Sequence, residues 1–237
     1  DKAPRHLTFA SRDEALTRST REIVTKRKVR SDNVFRMSMA RGMPPVHLKL
    51  PPEDKQLVYI MNMYYRALQH WTKHSKFNII YDSQKNKFLR HSVQKRLYDK
   101  QNVMGIIITD DDSVFGSYHT ARFPKKPKTA FVTVSDPGMF VFSLENRNRL
   151  PSPTRWQISP TSPGVEWSIS FYSDKEKDPS FYNVYGCFTL RPPLNQPNSI
   201  LRPEFKHEYE DAIDVSIFTG NKENFTVKRL LFLTWSE

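Results

Sequence analysis

Cysteine occurs once in the 237 residues, at Cys187. A single thiol excludes an intrachain disulfide and a cysteine-built zinc site, and it predicts a reducing compartment, the cytoplasm or the nucleus. Glycine is scarce too, seven in all, and neither Gly-x-Gly-x-x-Gly nor a P-loop can be assembled from the seven. Nucleotide chemistry built on those loops is therefore excluded. Long apolar runs are missing: stretches such as Gly105–Ile108 and Leu230–Leu233 fall far short of the roughly 20 residues a transmembrane helix needs. No secretory signal pattern opens the chain, and there is no Gly-x-Ser-x-Gly elbow to carry a nucleophilic serine. The start at Asp1, not at methionine, reads as a trimmed or expressed fragment.

What is present is enough for a core. With 38% hydrophobic and 13% aromatic residues the chain reads as globular. Its net charge of +12 is unevenly spread. Residues 1–50 carry 12 basic against 5 acidic side chains and residues 51–150 carry 16 against 9, whereas residues 151–237 carry 9 against 11. A basic first two thirds points to an acidic partner: nucleic acid, an anionic membrane surface or an acidic protein.

Three regions follow from the pattern. Residues 1–45 are polar and basic, with a helix start at Ser11-Arg12-Asp13-Glu14 and only Leu16, Ile23 and Val24 as an apolar stripe, so they read as an extension that is helical in part or flexible. Residues 46–76 hold a proline-framed linker and an amphipathic helix over about 53–74, on which Leu57, Ile60, Met61, Tyr64, Leu68 and Trp71 recur at helical spacing and dock on the domain that follows. Residues 77–237 read as strands, with a second helix over about 88–100. The expected strands are 77–81, 103–109, 114–119, 130–135, 139–144, 165–172, 184–190, 213–218 and 226–235, joined by connections short enough for antiparallel pairing. Proline-rich loops are expected at 147–163 and 191–203. The three consecutive acids Asp110, Asp111 and Asp112 follow an apolar run and precede Val114, so they read as the tip of a hairpin. A calcium loop would need alternating carboxylates, a glycine and a distal glutamate.

Several stretches, in order, resemble the signatures of the TLDc domain family. They are Phe77-Asn-Ile-Ile-Tyr81-Asp82-Ser83 before a helix, Gly105-Ile-Ile-Ile-Thr-Asp110, Phe115-Gly116-Ser117-Tyr118, Gly138-Met-Phe140-Val-Phe142-Ser-Leu144 and the closing Phe225–Trp235. The core of the resemblance spans 77–237. It implies an α+β fold, a two-layer antiparallel β-sandwich flanked by helices. It also implies a non-catalytic module, with no established active site, that acts in oxidative-stress protection or in regulation of the vacuolar proton-pumping ATPase through protein partners such as the pump's subunits. The chain departs from the family pattern in lacking the usual glutamate two places before Trp235.

Candidate sites were weighed residue by residue. His70 and His74, one turn apart, lack a third metal ligand, and the acidic cluster Glu204, Glu208, Glu210, Asp211 and Asp214 reads as a solvated face. No catalytic or metal-binding residue and no cofactor is assigned, and the expectation is a protein that is not an enzyme. Three basic groups are candidates for an anion, a nucleic acid or a protein partner. They are Lys26, Arg27, Lys28 and Arg30; Lys85, Lys87, Arg90, Lys95, Arg96 and Lys100; and Lys125, Lys126 and Lys128. The alternative reading that they support is a nucleic-acid-binding regulator using the basic arm and the 85–100 helix. Ser152, Ser159 and Ser162, each before a proline in one loop, are candidate phosphorylation sites whose modification would add negative charge.

Overall fold

The computed structural model describes residues 50–125, 129–146, 153–173, 177–192, 198–220 and 223–237. The chain divides at Pro51, and the unit Pro51–Glu237 is the one described. The expected extension 1–45, including Lys26, Arg27, Lys28 and Arg30, lies outside the described residues, as do Lys126, Lys128 and Ser152.

Helix α1 spans Lys55–Thr72. Asp54 caps it, its Oδ1 accepting from the Leu57 amide at 3.1 Å and so satisfying one of the free first-turn donors. Lys73 closes it in the left-handed region at φ 63, its N–H donating to the Gln69 carbonyl. The helix is thus shorter than the spacing suggests, and His74 stands beyond its end. All six residues of the expected stripe are buried.

The remaining elements, in chain order, are β1 Lys76–Asp82, α2 Arg90–Leu97, β2 Val103–Thr109, β3 Val114–His119, β4 Phe131–Val134, β5 Phe140–Glu145, β6 Thr154–Gln157, β7 Ile169–Tyr172, β8 Tyr182–Val184, β9 Phe188–Leu190, β10 Ser199–Leu201, α3 Phe205–Glu208, β11 Asn224–Phe225 and β12 Val227–Ser236. They form two six-stranded sheets, ordered β1-β12-β2-β3-β5-β6 and β11-β10-β9-β8-β7-β4. Every pairing is antiparallel. Two antiparallel sheets and few helices are compatible with the expected β-sandwich.

One apolar core joins the sheets. Phe115 of β3 meets Phe188 of β9 with ring centroids 5.7 Å apart, and Phe232 of β12 meets Tyr182 of β8 at 5.4 Å. The first sheet is covered on its other face by α1: Trp71 packs on Phe140 and Phe142, and Tyr65 stacks on Trp235. Strands β2 and β12 are therefore buried on both faces, which explains why Gly105–Ile108 and Leu230–Leu233 read as unbroken apolar runs where a half-exposed strand would alternate.

Close strand approach fixes Gly116. A Cβ there would lie 1.9 Å from the Gly105 carbonyl oxygen and 2.9 Å from the Phe142 ring. The acidic triplet forms the β2–β3 turn as its composition suggests: the Thr109 amide donates to the Ser113 carbonyl, Asp112 adopts φ 62, and Lys228 Nζ sits 2.7 Å from Asp112 Oδ1.

Several expectations need correction. The run 184–190 is not one strand but the last residue of β8 and the whole of β9, with Gly186 at φ +61 turning the chain and Cys187 buried in that turn. Segment 213–218 is a 3-10 turn, Val215–Ile217, started by the Asp214 carboxylate accepting from the Ser216 amide. The expected strand 165–172 begins only at Ile169, after a 3-10 turn at Pro163–Val165. The loops 147–163 and 191–203 contain β6 and β10, strands too short to show a period. The acidic cluster is solvated as expected, with Glu204, Glu210, Asp211 and Asp214 exposed and Glu208 half-buried, while Phe205 and Tyr209 between them are buried. Helix α2 ends at Leu97, followed by left-handed Asp99 and Asn102, so Lys100 lies beyond it.

Candidate functional site

The described basic residues divide by what their side chains do. Lys85, Lys87, Lys95, Lys100 and Lys125 are exposed. Helix α2 buries Val93, Gln94 and Leu97, which leaves Lys95 and Arg96 turned outward. Arg96 also donates to the Ile80 carbonyl on the outer edge of β1, at 3.4 Å. Arg90 is half-buried and donates to the carbonyls of Ser173 and Asp178, tying α2 to the chain that follows β7. It is thus a fastening for the fold, although the sequence groups it with the exposed cations.

The serine–proline loop divides in the same way. Ser159 is half-buried, with its hydroxyl 3.0 Å from that of Thr161. Ser162 is 8% exposed and caps the turn Pro163–Val165: its Oγ accepts from the Gly164 amide at 2.9 Å and donates to the Glu208 carboxylate. A kinase reaches that hydroxyl only if the segment opens.

Two polar clusters were not anticipated from the sequence. The first centres on Arg229, 1% exposed. Its guanidinium holds Asp82 through Nε at 3.1 Å and Nη2 at 2.8 Å, and Asp54 through Nη1 at 2.8 Å and Nη2 at 2.5 Å. One side chain of β12 thereby joins the cap of α1 to the end of β1 in two bidentate pairs. The Arg229 hydrogen bond holds the Asp54 carboxyl below its ordinary range, against the opposing effect of burial.

The second lies between the sheets. Ser117 and His119 alternate on β3 and so share its inward face. His119 Nε2 is 3.0 Å from Ser117 Oγ and 2.7 Å from Tyr182 Oη, and those two hydroxyl oxygens are 2.9 Å apart. On the other side of the ring, Nδ1 stands 3.7 Å from Asp136 Oδ2. Serine, histidine and aspartate in that order is the sequence of a nucleophilic triad, yet the geometry is that of a packing connector. The Asp136 contact is too long for a hydrogen bond, and its carboxylate is occupied by the Thr120 and Ala121 amides, the Thr120 hydroxyl and the Gly138 amide. Ser117 and His119 are both 0% exposed. Burial lowers the His119 imidazole to about 4, with Asp136 opposing, so it is neutral at physiological pH. The signal for this cluster was legible: Ser117 and His119 fall on the face of β3 that Phe115 also occupies.

Cys187 is fully buried, which pushes its thiol up and away from the reactive thiolate. Among the described residues no group of three or more His, Cys, Asp or Glu side chains is placed to hold a metal. No protein-family model matches the chain, and no curated protein matches it. No helix of the described residues is long and apolar enough to cross a membrane.

Proposed function

We propose that the chain is a TLDc-like, non-catalytic interaction module that acts through protein contacts in oxidative-stress protection or in regulation of the vacuolar proton-pumping ATPase. One observation supports this reading above the rest. The stretches that resemble the family's signatures fall on β1, β12, β2, β3 and β5, which are consecutive neighbours in a single sheet. Motifs scattered over more than 150 residues of sequence thus build neighbouring strands of one sheet, of which β2, β3, β5 and β12 are largely buried. On this reading they specify the scaffold, and contact with partners belongs to the exposed remainder.

Affinity capture of the intact protein from its native cells, with and without nuclease, tests the proposal. Pump subunits recovered in both conditions are the expected result, and capture that recovers none removes the pump version. The exposed lysines beside α2 favour nucleic acid as the second reading. That reading requires a mobility shift at low salt, where phosphate contacts are strongest, and capture that nuclease abolishes.

A further inference from the structure

Four strands stand at the edges of the two sheets: β1 and β6 in the first, β11 and β4 in the second. An open edge is a row of unpaired N–H and C=O groups that another chain can join, and native folds block such edges unless they are used. Three of the four are blocked. Strand β1 carries a bulge between Ile79 and Tyr81, a lysine at its start, and α2 against it with Arg96 on the Ile80 carbonyl. Strand β6 is joined along its free side by the chain after α3, through the Ile158–Tyr209 bridge and the Glu210 amide on the Gln157 carbonyl at 2.9 Å. Strand β11 is only two residues long.

Among the described residues, strand β4 has none of these protections. Its sequence, Phe131-Val132-Thr133-Val134, is all aromatic or β-branched and contains no charge or proline. Its register with β7 runs without a shift from Phe131↔Tyr172 to Val134↔Ile169. The Ser173 amide donates to the Ala130 carbonyl at 2.7 Å, which sets the alternation: Ala130, Val132 and Val134 turn their backbone groups to β7, while Phe131 and Thr133 turn theirs to solvent. The Phe131 carbonyl takes one hydrogen bond from the Thr129 hydroxyl, and among the described residues its second lone pair, the Phe131 N–H and both groups of Thr133 are open. Phe131 is 54% exposed, an apolar ring beside that open backbone.

We propose that the β4 edge is a docking site for an extended, acidic segment of a partner protein, added as a seventh strand to the second sheet. Backbone pairing with Phe131 and Thr133 supplies the affinity, and the Phe131 ring supplies an anchor. Charge selects the occupant. Exposed Lys125 precedes the strand, in a chain of net charge +12. The same charge opposes a second copy of this chain at the edge, where a four-residue strand would have to overcome the repulsion. The inference deepens the interaction-module reading, on which it rests, by naming the surface and the chemistry of the partner.

The test uses the full chain and two fluorescently labelled peptides of alternating valine and threonine, one ending in a run of glutamates and the other in a run of lysines. The acidic peptide is expected to bind saturably, weaken as salt rises, and outcompete the basic one. Phe131→Ser, a neutral change that removes the exposed ring, is expected to weaken it about tenfold or more while the unfolding temperature stays within a few degrees. Thr133→Pro removes an outward N–H and no bond to β7, and is expected to do the same. Equal binding of both peptides, unchanged affinity in both variants, no binding at all, or a dimer of the free chain that Phe131→Ser dissolves would each overturn the proposal. Capture of pump subunits undiminished by Phe131→Ser refutes the edge but keeps the module. Peptide binding without any pump subunit in the capture does the reverse.

Discussion

Replacing Arg229 by methionine is the most searching perturbation of this fold. The guanidinium neutralises two carboxylates whose side chains are 9% and 3% exposed, Asp54 and Asp82. Methionine fills a similar volume but leaves both acids facing one another without a cation. Removing one partner of a buried ion pair costs about 3–5 kcal/mol. For a unit of this size each kcal/mol lowers the unfolding temperature by about 2–4 °C, so a fall of about 6–20 °C is expected by thermal scanning at neutral pH. The pH dependence should invert. In the native chain Asp54 has a depressed folded-state pKa, so its contribution is complete above the ordinary carboxylate value and is lost as pH falls through the folded one. In the variant, burial and the facing Asp82 charge push the Asp54 carboxyl up with no cation to oppose them, so mild acid should restore stability where it weakens the native chain. Adding Asp54→Asn and Asp82→Asn should recover part of the loss, because an empty pair is cheaper than a broken one. A variant less than about 1 kcal/mol below the native chain, with an unchanged pH profile, would refute the reasoning and reduce the cluster to a surface-like pair.

His119 gives a second pH test. Its folded-state value of about 4 lies below the ordinary 6.5, so the unfolded chain takes up the proton first, and stability should fall between about pH 6.5 and 4 by on the order of 3 kcal/mol. His119→Gln should flatten that slope in urea titrations repeated across the range. Gly116→Ala should destabilise by about 1–3 kcal/mol or more in the same denaturant assay, since the new methyl meets backbone. Ser162→Asp should lose about 1 kcal/mol or more by placing a charge against Glu208, while Ser159→Asp should change the unfolding temperature little. Leu68→Ala, at a fully buried position on α1, should cost about 2–5 kcal/mol by chemical unfolding.

The elements legible in the sequence were those long enough to display a period. Helix α1, with six stripe residues over five turns, and the strands β2, β3 and β12 fall where their apolar patterns place them, within a few residues. Three-residue strands cannot show alternation, so β8 and β9 merged into one expected strand and β10 disappeared into a proline-rich loop. The run 213–218 looked apolar enough for a strand, but Asp214 offers its carboxylate to the Ser216 amide and a 3-10 turn results. Long-range polar contacts were less accessible still. Nothing near Arg229 in sequence distinguishes it from Lys228, which is exposed and reaches only Asp112. Its partners lie 147 and 175 residues away: the pairing of β12 with β1 brings Asp82 within reach, and the start of α1 brings Asp54.

The placement of β12 has a consequence for synthesis. This strand is the last to be made of the twelve, yet it lies between the two that are made first, β1 and β2. During translation the first sheet therefore has a vacancy at its middle, and α1 has no Arg229 to grip its cap. Two strands with unfilled flanks must wait for residues 227–236 to leave the ribosome, which makes the nascent chain a natural client for chaperones. A ribosome stalled shortly before Val227 would release a polypeptide holding most of the domain's residues and almost none of its cooperativity.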